Sequence, residues 1–362
     1  MSAVPTIPST AADLTPAWLT IALRDAGTIS PTTAVRAVRV EQIGEGVGFL
    51  SLLYRLHLDL DGSGPSTLVA KLPTDTAYLQ LAQLTGAYAR EVHYYADVAQ
   101  SAPLRTAHAH VAQISSDATE FVLILDDLGS LDAADHLAGL PIERVERVID
   151  HLAEFHAWAW NLDPEATRAQ VIPAIDDPVM AGLYAMGVAP GWATYQAHGR
   201  VPAPAGLAEF IEGFATQLPG LLAGLSEPRT LLNGDLRADN LFFDADIGPT
   251  LVDFQLVMRG AGVWDIAYLV GQGMTPAQRD GRERELLQRY VDALASHGVR
   301  GYSVEDAWRQ FQAAVLAQIT FPLTAMLSWD TLTERARELL HALTERTFAI
   351  ITDTDALRSI GA

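Results

Sequence analysis

A short segment in the second half of the chain contains the residue types that phosphoryl transfer requires. Asp235 precedes Asn240 by five positions, and Asp253 follows at the end of the apolar pair Leu251-Val252. A carboxylate can orient and deprotonate an attacking hydroxyl, and oxygen ligands from Asn and Asp can hold Mg²⁺ against phosphate oxygens. A structural role explains Asp235 and Asp253 poorly, because an unpaired carboxylate beside apolar strand residues is costly. The segment is therefore a candidate site for phosphoryl transfer.

The sole lysine of the chain is a second candidate. Of the 24 basic residues, 23 are Arg and only Lys71 is Lys. A position that keeps Lys in such a chain can require a compact ammonium with three rotatable donors. Lys71 ends the strand-like run Val69-Ala70, and Glu91 follows twenty residues later on a predicted helix. A strand lysine paired with a helix glutamate can direct its ammonium at nucleotide phosphates, whereas a solvated helix face is the alternative for Glu91.

A glycine-rich turn precedes this lysine. Gly44, Gly46 and Gly48 lie between the first two predicted strands. Glycines let a backbone approach phosphates closely and form an anion-binding nest of N–H groups. The spacing differs from the full G-x-G-x-x-G pattern because Phe49 stands where the third glycine would be. The turn is a candidate phosphate contact, with an ordinary hairpin turn as the alternative.

The elements that position these residues follow from hydrophobic periodicity. Thr15 can cap an N-terminal helix that Pro16 begins and Gly27 ends. Alternating apolar residues predict strands over 34–43, 49–60, 67–72, 108–114 and 121–126, and spacings of three and four predict a helix over 75–100. Beyond Gly129 the pattern is mainly helical, apart from a strand-and-turn stretch over 230–256. We therefore expect an N-terminal lobe over 1–125, a hinge over 126–129 and a C-terminal catalytic and substrate-binding lobe over 130–362.

Composition narrows the function classes. A chain of 362 residues with 49% hydrophobic residues has enough apolar material for two lobes. Its net charge of −20 argues against a nucleic-acid partner, and its lack of cysteine excludes disulfides and thiolate chemistry. The apolar stretch over 313–327 is too short and too often interrupted by polar residues for a spanning helix, and no secretory signal pattern is present. We expect a cytoplasmic enzyme without a membrane partner, and the oligomeric state is left open.

Taken together, these motifs resemble the aminoglycoside phosphotransferase and choline kinase superfamily, which has the protein-kinase-like fold. The segments 233–243, 252–255 and 264–268 are most similar to its ecdysteroid-kinase-like branch. The likeness extends from about Thr15 to Trp329. It implies an α+β, bilobal fold, in which an N-terminal antiparallel sheet with one long helix precedes a larger, mainly helical C-terminal lobe. It also implies ATP and Mg²⁺ as cofactors.

The resemblance assigns roles to the reactive residues. It implies Asp235 as the catalytic base and Asn240 and Asp253 as the Mg²⁺ ligands. It implies Lys71 and Glu91 as the ion pair that holds the ATP phosphates.

Further roles are implied for supporting residues. Asp126 and Leu128 belong to the backbone hinge for adenine, Asp265 is a structural acid that braces the catalytic loop, and His156 matches a family histidine on a core helix. Asn233 is the one departure, because the family usually has histidine there. An amide can make similar hydrogen bonds, so we expect activity to be retained.

The acceptor is predicted only by class. The aromatic residues around Trp158, Trp160 and Trp192 favour a small, apolar or amphipathic hydroxyl compound, and the family resemblance suggests steroid-like alcohols or hydroxyacyl compounds. Core packing is the alternative for each tryptophan.

Two other functions stay open at this stage. Four acidic residues near the C-terminus favour an aminoglycoside or other cationic substrate, namely Asp330, Glu334, Glu338 and Glu345. The Asn233 substitution favours a nucleotide-binding pseudokinase instead.

Overall fold

The computed structural model describes residues 6–44, 51–74, 78–162, 171–244 and 248–359. The predicted phosphate contacts at Gly46 and Gly48 lie outside these ranges. Internal contacts divide the chain into two compact units. The first contains residues up to Ser101, Thr106–Leu131 and Phe254–Leu256, and the second contains Ala102–Arg105, Asp132–Asp253 and residues from Val257 onward.

A five-stranded antiparallel sheet forms the centre of the first unit. Its strands are β1 (Val35–Ile43), β2 (Ser51–Leu60), β3 (Thr67–Pro73), β4 (Ala109–Ile114) and β5 (Phe121–Asp126). Their spatial order is β1-β2-β3-β5-β4. Alternate residues such as Leu68, Ala70 and Leu72 are buried on one face, as the period of two requires. The predicted strands are confirmed to within one residue at each end, except that the predicted start of the second strand at Phe49 lies outside the described residues.

The N-terminal helix α1 (Pro16–Asp25) covers one face of this sheet. Its start follows the predicted capping, because the Thr15 side chain accepts a hydrogen bond from the Trp18 N–H at 3.2 Å. Leu19 and Leu23 are fully buried in the same core cluster as the inward residues of the sheet. The helix therefore completes the hydrophobic core of this unit.

The helix predicted over 75–100 is helical but not continuous within the described residues, and its first three positions lie outside them. It consists of α2 (Tyr78–Thr85), α3 (Ala87–His93) and a π-helical turn over Tyr94–Val98. The break occurs at Gly86, whose φ of +67° lies in the left-handed region that glycine adopts readily. The prediction of one continuous helix was wrong, because apolar spacings of three and four do not reveal a break at a single glycine.

The second unit is mainly helical. Its helices are α4 (Ile142–Trp158), α5 (Pro178–Met186), α6 (Val188–His198), α7 (Leu207–Ala223), α8 (Val263–Gly273), α9 (Pro276–Arg279), α10 (Glu283–Ser296), α11 (Val304–Ala317), α12 (Thr320–Ala325), α13 (Glu334–Asp353) and α14 (Ala356–Ser359). Every residue of α8 is buried. The α+β class with a helical C-terminal part is confirmed.

Two small antiparallel sheets lie within this unit. One contains β6 (Asp132–Ala133), β8 (Leu241–Asp244) and β9 (Gly248–Leu251), and the other pairs β7 (Thr230–Leu232) with β10 (Met258–Gly260). The loop between β7 and β8 contains the candidate catalytic residues. Short strands on both sides therefore hold the ends of this loop.

One apolar helical stretch has the length and composition to cross a membrane. Among the described residues, only Val304–Thr331 passes this test, and 61% of its most apolar window is buried inside the protein. Its Gln318 side chain donates a hydrogen bond to the Trp264 carbonyl at 2.8 Å. Such burial is typical of the core helix of a soluble protein, whereas the cytoplasmic location stays a prediction.

Candidate active site

The loop after β7 is shaped by a buried carboxylate from α8. Asp265 is fully buried, and its two oxygens accept hydrogen bonds from the Asn233 N–H at 2.7 Å and the Gly234 N–H at 3.0 Å. Gly234 has φ +87°, a conformation that disfavours side chains. Asp265 lies in the first turn of α8, where the helix dipole favours a negative charge. These bonds fix the backbone immediately before Asp235.

A buried histidine, His156, contacts the Asp265 carboxylate. The Nε2 of His156 on α4 lies 3.4 Å from Oδ2 of Asp265, and its Nδ1 lies 2.9 Å from the Tyr290 hydroxyl. The His156 carbonyl also accepts a hydrogen bond from the Thr230 hydroxyl at 2.7 Å. The core helix α4 thus lies in contact with the supporting acid and is hydrogen-bonded to β7, which leads into the loop.

Asn233 makes two side-chain hydrogen bonds within the loop. Its Oδ1 accepts from the Asp235 N–H at 3.1 Å, and its Nδ2 donates to the Asp253 carbonyl at 3.1 Å. A neutral imidazole likewise offers one donor and one acceptor. Asparagine therefore supplies the hydrogen-bonding capacity of the histidine that the family resemblance led us to expect.

The Asp235 carboxylate is nearly buried between two polar side chains. Arg237 Nε lies 3.2 Å from its Oδ1, and the Tyr268 hydroxyl on α8 hydrogen-bonds to it. Burial raises the pKa of Asp235, the Arg237 charge opposes this rise, and the nearby Asp253 charge adds to it. A carboxylate whose pKa is raised is a better proton acceptor for a hydroxyl than an ordinary one.

Sequence reasoning assigned no role to Arg237 or Tyr268. Arg237 follows Asp235 by two positions, and Tyr268 follows Asp265 by three, which is nearly one helical turn. The second spacing is a usable signal: two polar residues on one face of α8 are directed at the same loop. The first spacing carried no signal by itself, because a neighbouring arginine commonly points to solvent.

The predicted Mg²⁺ ligands lie at the base of a hairpin. Leu241 of β8 pairs with Leu251 of β9, and the Val252 N–H donates to the Asn240 carbonyl at 3.1 Å, which extends the pairing. The Asn240 Nδ2 donates to the Asp235 carbonyl at 2.8 Å. This bond engages the amide nitrogen, so the amide oxygen is the atom that can bind a cation.

This donor set fits Mg²⁺ that is bound together with a nucleotide. Among the described residues, no group of three or more His, Asp or Glu side chains could hold a metal ion alone. Mg²⁺ commonly takes one or two protein ligands and fills its other positions with water and phosphate oxygens. The amide of Asn240 and the carboxylate of Asp253 match that pattern.

The first unit contains a buried ion pair. Lys71 Nζ on β3 lies 2.8 Å from Oε1 and 2.7 Å from Oε2 of Glu91 on α3. Their side chains are 6% and 2% exposed, so the attraction is weakly screened by solvent. Glu91 Oε1 also accepts a hydrogen bond from the Phe254 N–H at 3.3 Å, and the Phe254 ring stacks on Tyr94 at 3.7 Å. The lysine is therefore held by a carboxylate that is itself fixed.

The segment predicted as the adenine hinge begins at the end of β5. Asp126 Oδ1 lies 2.9 Å from His110 Nε2, and the next residue, Asp127, accepts two hydrogen bonds from Arg55 at 2.8 and 3.2 Å. The Leu128 carbonyl accepts a bond from the Leu131 N–H at 2.9 Å. These contacts order the segment, and its role with adenine stays a prediction.

Of the predicted glycine contacts, Gly44 lies within the described residues. It follows β1 directly and has φ +69°. This left-handed conformation explains why glycine is favoured at this position.

The three predicted substrate tryptophans lie in three separate aromatic pairs. Trp158 stacks near Phe155, Trp192 stacks near Tyr195 at 5.5 Å, and Trp160 contacts Tyr302 at 5.5 Å. Trp160 also lines a cavity of about 530 Å³ between the segment that follows α7 and one side of α11. The tryptophans do not form one common wall.

A histidine that sequence reasoning missed braces the other side of the loop. His136 is fully buried. Its backbone N–H donates to Asp239 Oδ1 at 2.9 Å, and its ring Nδ1 accepts from the Ala238 N–H at 3.3 Å. Its carbonyl accepts from Arg346 Nη1 on α13 at 2.8 Å. Burial lowers the pKa of His136 well below 6.5, and the charges of Arg346 and Arg237 lower it further.

Comparison with known families identifies the family of the chain. A model of the ecdysteroid kinase-like family matches residues 45–183 and 192–299, which is more than half of the sequence. The chain belongs to the ecdysteroid kinase-like family. The prediction of a small-molecule kinase is confirmed at this level, and no match was found among curated proteins.

Solved structures with the same fold include kinases of several small molecules. The GDP complex of wild-type aminoglycoside 2′-phosphotransferase-IIIa is 14% identical with a TM-score of 0.54, covering 92% of this chain and 98% of that one. An ethanolamine kinase from Plasmodium vivax is 12% identical with a TM-score of 0.55, covering 97% of this chain and 93% of that one. At such low identity the likeness establishes the fold of this ecdysteroid kinase-like protein.

Replacing Asp265 should destabilise this ecdysteroid kinase-like fold through its loop. In Asp265→Asn, an amide NH₂ replaces one acceptor oxygen, so one buried loop N–H loses its partner. We expect a loss of about 1–3 kcal/mol in the free energy of unfolding, measured by urea denaturation. Asp150→Asn is the matched control, because it removes an exposed pair with Arg289 and should cost at most about 1 kcal/mol. Equal losses in the two variants would contradict the bracing role of Asp265.

His136 should make stability depend on pH. Because folding lowers its pKa below 6.5, the unfolded chain binds a proton where the folded chain does not. The stability contribution is complete above the unfolded pKa and falls as the pH drops from there towards the folded pKa, by up to about 1.4 kcal/mol per pH unit.

Urea denaturation at about pH 7.5 and pH 5.5 tests this dependence. His136→Gln, which keeps an acceptor for the Ala238 N–H, should lose less stability at the lower pH than the wild type. Replacing the exposed His297 by Gln should leave the wild-type difference between the two pH values unchanged. An unchanged difference in His136→Gln would show that His136 does not cause the dependence.

Proposed function

We propose that the protein transfers the γ-phosphoryl group of ATP, with Mg²⁺, to a hydroxyl of a small apolar or amphipathic metabolite. The observation that supports this most strongly is the loop that Asp265 braces. In this loop Asp235 precedes Asn240 by five residues, and the Asn240 side chain donates a hydrogen bond to the Asp235 carbonyl. Membership of the ecdysteroid kinase-like family supports the same reaction class.

Each residue has a distinct task in this reaction. Lys71, oriented by Glu91, would bind phosphate oxygens, and Asn240 and Asp253 would hold Mg²⁺, which neutralises phosphate charge when bound. Asp235 accepts the proton of the acceptor hydroxyl while the oxygen of that hydroxyl forms a bond to the γ-phosphorus. The bond from that phosphorus to the β–γ bridging oxygen breaks, and ADP leaves.

Nucleotide use is supported by the structural neighbours. The aminoglycoside phosphotransferase noted above was solved with GDP, and another phosphotransferase complex of this fold contains GDP and kanamycin. The ion pair of Lys71 with Glu91 is well suited to a polyphosphate, because a fixed carboxylate holds the ammonium in one position.

An apolar acceptor is supported by the aromatic contacts beside the base. The ring of Tyr268, whose hydroxyl contacts Asp235, packs at 5.4 Å from Phe321 of α12, and Phe321 packs at 5.7 Å from Tyr184 of α5. Phe321 and Tyr184 are partly exposed. Neither α5 nor α12 contains a charged residue, and Val179 and Met186 on α5 are 58% and 68% exposed. These side chains favour an apolar surface near the reacting hydroxyl.

The two alternatives have less support. A cationic acceptor would require available carboxylates, yet Glu338, one of the four acids that motivated it, is paired with Arg200. A pseudokinase was motivated by Asn233 in place of the usual histidine, but the two loop hydrogen bonds of this asparagine supply the donor and the acceptor that a histidine would provide.

Asp235 should be required for turnover and dispensable for nucleotide binding. In an ATP-consumption screen over alcohols, sugars, aminoglycosides and hydroxyacyl thioesters, we expect turnover with an apolar alcohol or hydroxyacyl compound. Asp235→Asn should lower kcat by about 10²–10⁴-fold, because it removes the proton acceptor. ATP binding with Mg²⁺, measured by calorimetry, should change little.

The exposed Asp292→Asn variant is the control and should keep wild-type turnover. If ATP with Mg²⁺ binds but no compound stimulates its consumption, the pseudokinase alternative gains support. An Asp235→Asn variant with wild-type kcat would contradict the assignment of the base.

Phe321 should determine how well the acceptor binds. Phe321→Ala removes apolar contact area worth about 1.5–3 kcal/mol, so the KM for an apolar acceptor should rise roughly 10- to 100-fold. The KM for ATP should stay unchanged. Ile21→Ala, which removes an exposed apolar side chain from α1, is the control and should change neither value. Turnover of an aminoglycoside at low salt with no dependence on Phe321 would contradict the apolar surface.

A further inference from the structure

Arg237 lies beside the proposed base and has hydrogen-bonding groups that the fold does not use. Its Nε lies 3.2 Å from Asp235 Oδ1, and its side chain is 15% exposed. Within the described parts of the chain, neither Nη1 nor Nη2 has a hydrogen-bond partner. The guanidinium therefore keeps two donors beside the carboxylate, with some access to solvent.

The charge around Arg237 is otherwise acidic. Asp235, Asp239 and Asp253 all act on it electrostatically, together with the Tyr268 hydroxyl. From Asn233 to Asp253, Arg237 is the only basic residue of the sequence. An anionic group that approached Asp235 would meet carboxylates, and Arg237 is the group of this segment that can offset their repulsion.

A purely structural arginine would be used differently. Arg346 illustrates that case, because it directs both Nη groups to backbone carbonyls of His136, Leu137 and Gln272. By contrast, the terminal nitrogens of Arg237 are not used to hold other elements. Arg259 shares with Arg237 a single engaged Nε, which in Arg259 donates to the Ile172 carbonyl, away from the base.

We propose that Arg237 is a catalytic residue that binds the phosphoryl group during its transfer. This proposal rests on the proposed function. The Nη groups donate to the equatorial oxygens of that group, where negative charge is spread in the transition state, while Nε keeps its contact with Asp235. Arginine suits this task because its planar fork donates to two oxygens at once and stays protonated.

The expected effect is largest on the chemical step. In other phosphoryl-transfer enzymes an arginine that contacts the transferred group is worth about 10³–10⁵ in kcat. Arg237→Met should therefore lower kcat strongly and leave the KM for ATP almost unchanged. A positioning role through Asp235 alone would lower kcat too, so a binding measurement is needed to separate the two.

Calorimetry with ADP and Mg²⁺, in the presence and absence of aluminium fluoride, separates them. Aluminium fluoride mimics the phosphoryl group in flight, so it should tighten ADP binding to the wild type. Arg237→Met should bind ADP as the wild type does and lose this tightening. Asp235→Asn should retain it, and Arg259→Met, the matched control, should retain it as well.

The outcomes distinguish the two levels of inference. If the wild type binds no ADP with Mg²⁺, the proposed function fails and the role of Arg237 fails with it. If the wild type shows the tightening and Arg237→Met keeps it in full, the role of Arg237 is overturned while the proposed function stands. If Arg237→Met does not fold, Arg237→Gln decides by the same comparison, because the amide can keep a contact with Asp235 without the charge. Loss of the tightening in that variant supports the proposal, and its retention overturns it.

Discussion

The buried carboxylate of Asp265 is the constraint on which the candidate catalytic loop depends. A charge in the protein interior is tolerated only when hydrogen-bond donors surround it. Asp265 obtains two of these from consecutive backbone N–H groups, those of Asn233 and Gly234. Two successive N–H groups can point at one carboxylate only if the backbone turns sharply, and Gly234 provides this turn with its left-handed φ of +87°. The direction in which the chain continues to Asp235 is therefore set by an acid on another element.

The same constraint extends to the proposed metal ligands. With its backbone held by Asp265, Asn233 directs its side chain to the Asp253 carbonyl and the Asp235 N–H. Asp253 has φ +65°, which is unfavourable for a residue with a side chain and needs support from its surroundings. The Asn233 bond to its carbonyl supplies part of that support. One buried acid thus orders the base through the backbone that precedes it, and it orders one proposed Mg²⁺ ligand through the Asn233 side chain.

Local signals account for what the sequence could predict. The cap at Thr15, the five strands and the hairpin that joins Asn240 to Asp253 all follow from alternation, turn residues or short spacings, which depend on neighbouring residues only. The single lysine was informative for a different reason, since a residue type that occurs once points to a specific need. Contacts that depend on tertiary packing were missed. His136 lies about a hundred positions from the loop it braces, and no sequence period links the two.

The tryptophans and Tyr268 also show that sequence proximity does not predict which side chains meet. Trp158, Trp160 and Trp192 were grouped by proximity in sequence, but helices direct residues a few positions apart to different faces, and each tryptophan found its own partner. Tyr268, in contrast, contacts Asp235 because α8 presents it one turn after Asp265. The buried helix α8 supplies both Asp265, which braces the loop, and Tyr268, whose hydroxyl contacts the base. The geometry of the loop and the surroundings of Asp235 therefore depend on the same helix. Every residue of this helix is buried. A change in the packing of α8 would therefore alter the position of Asp235 and the polarity around it together.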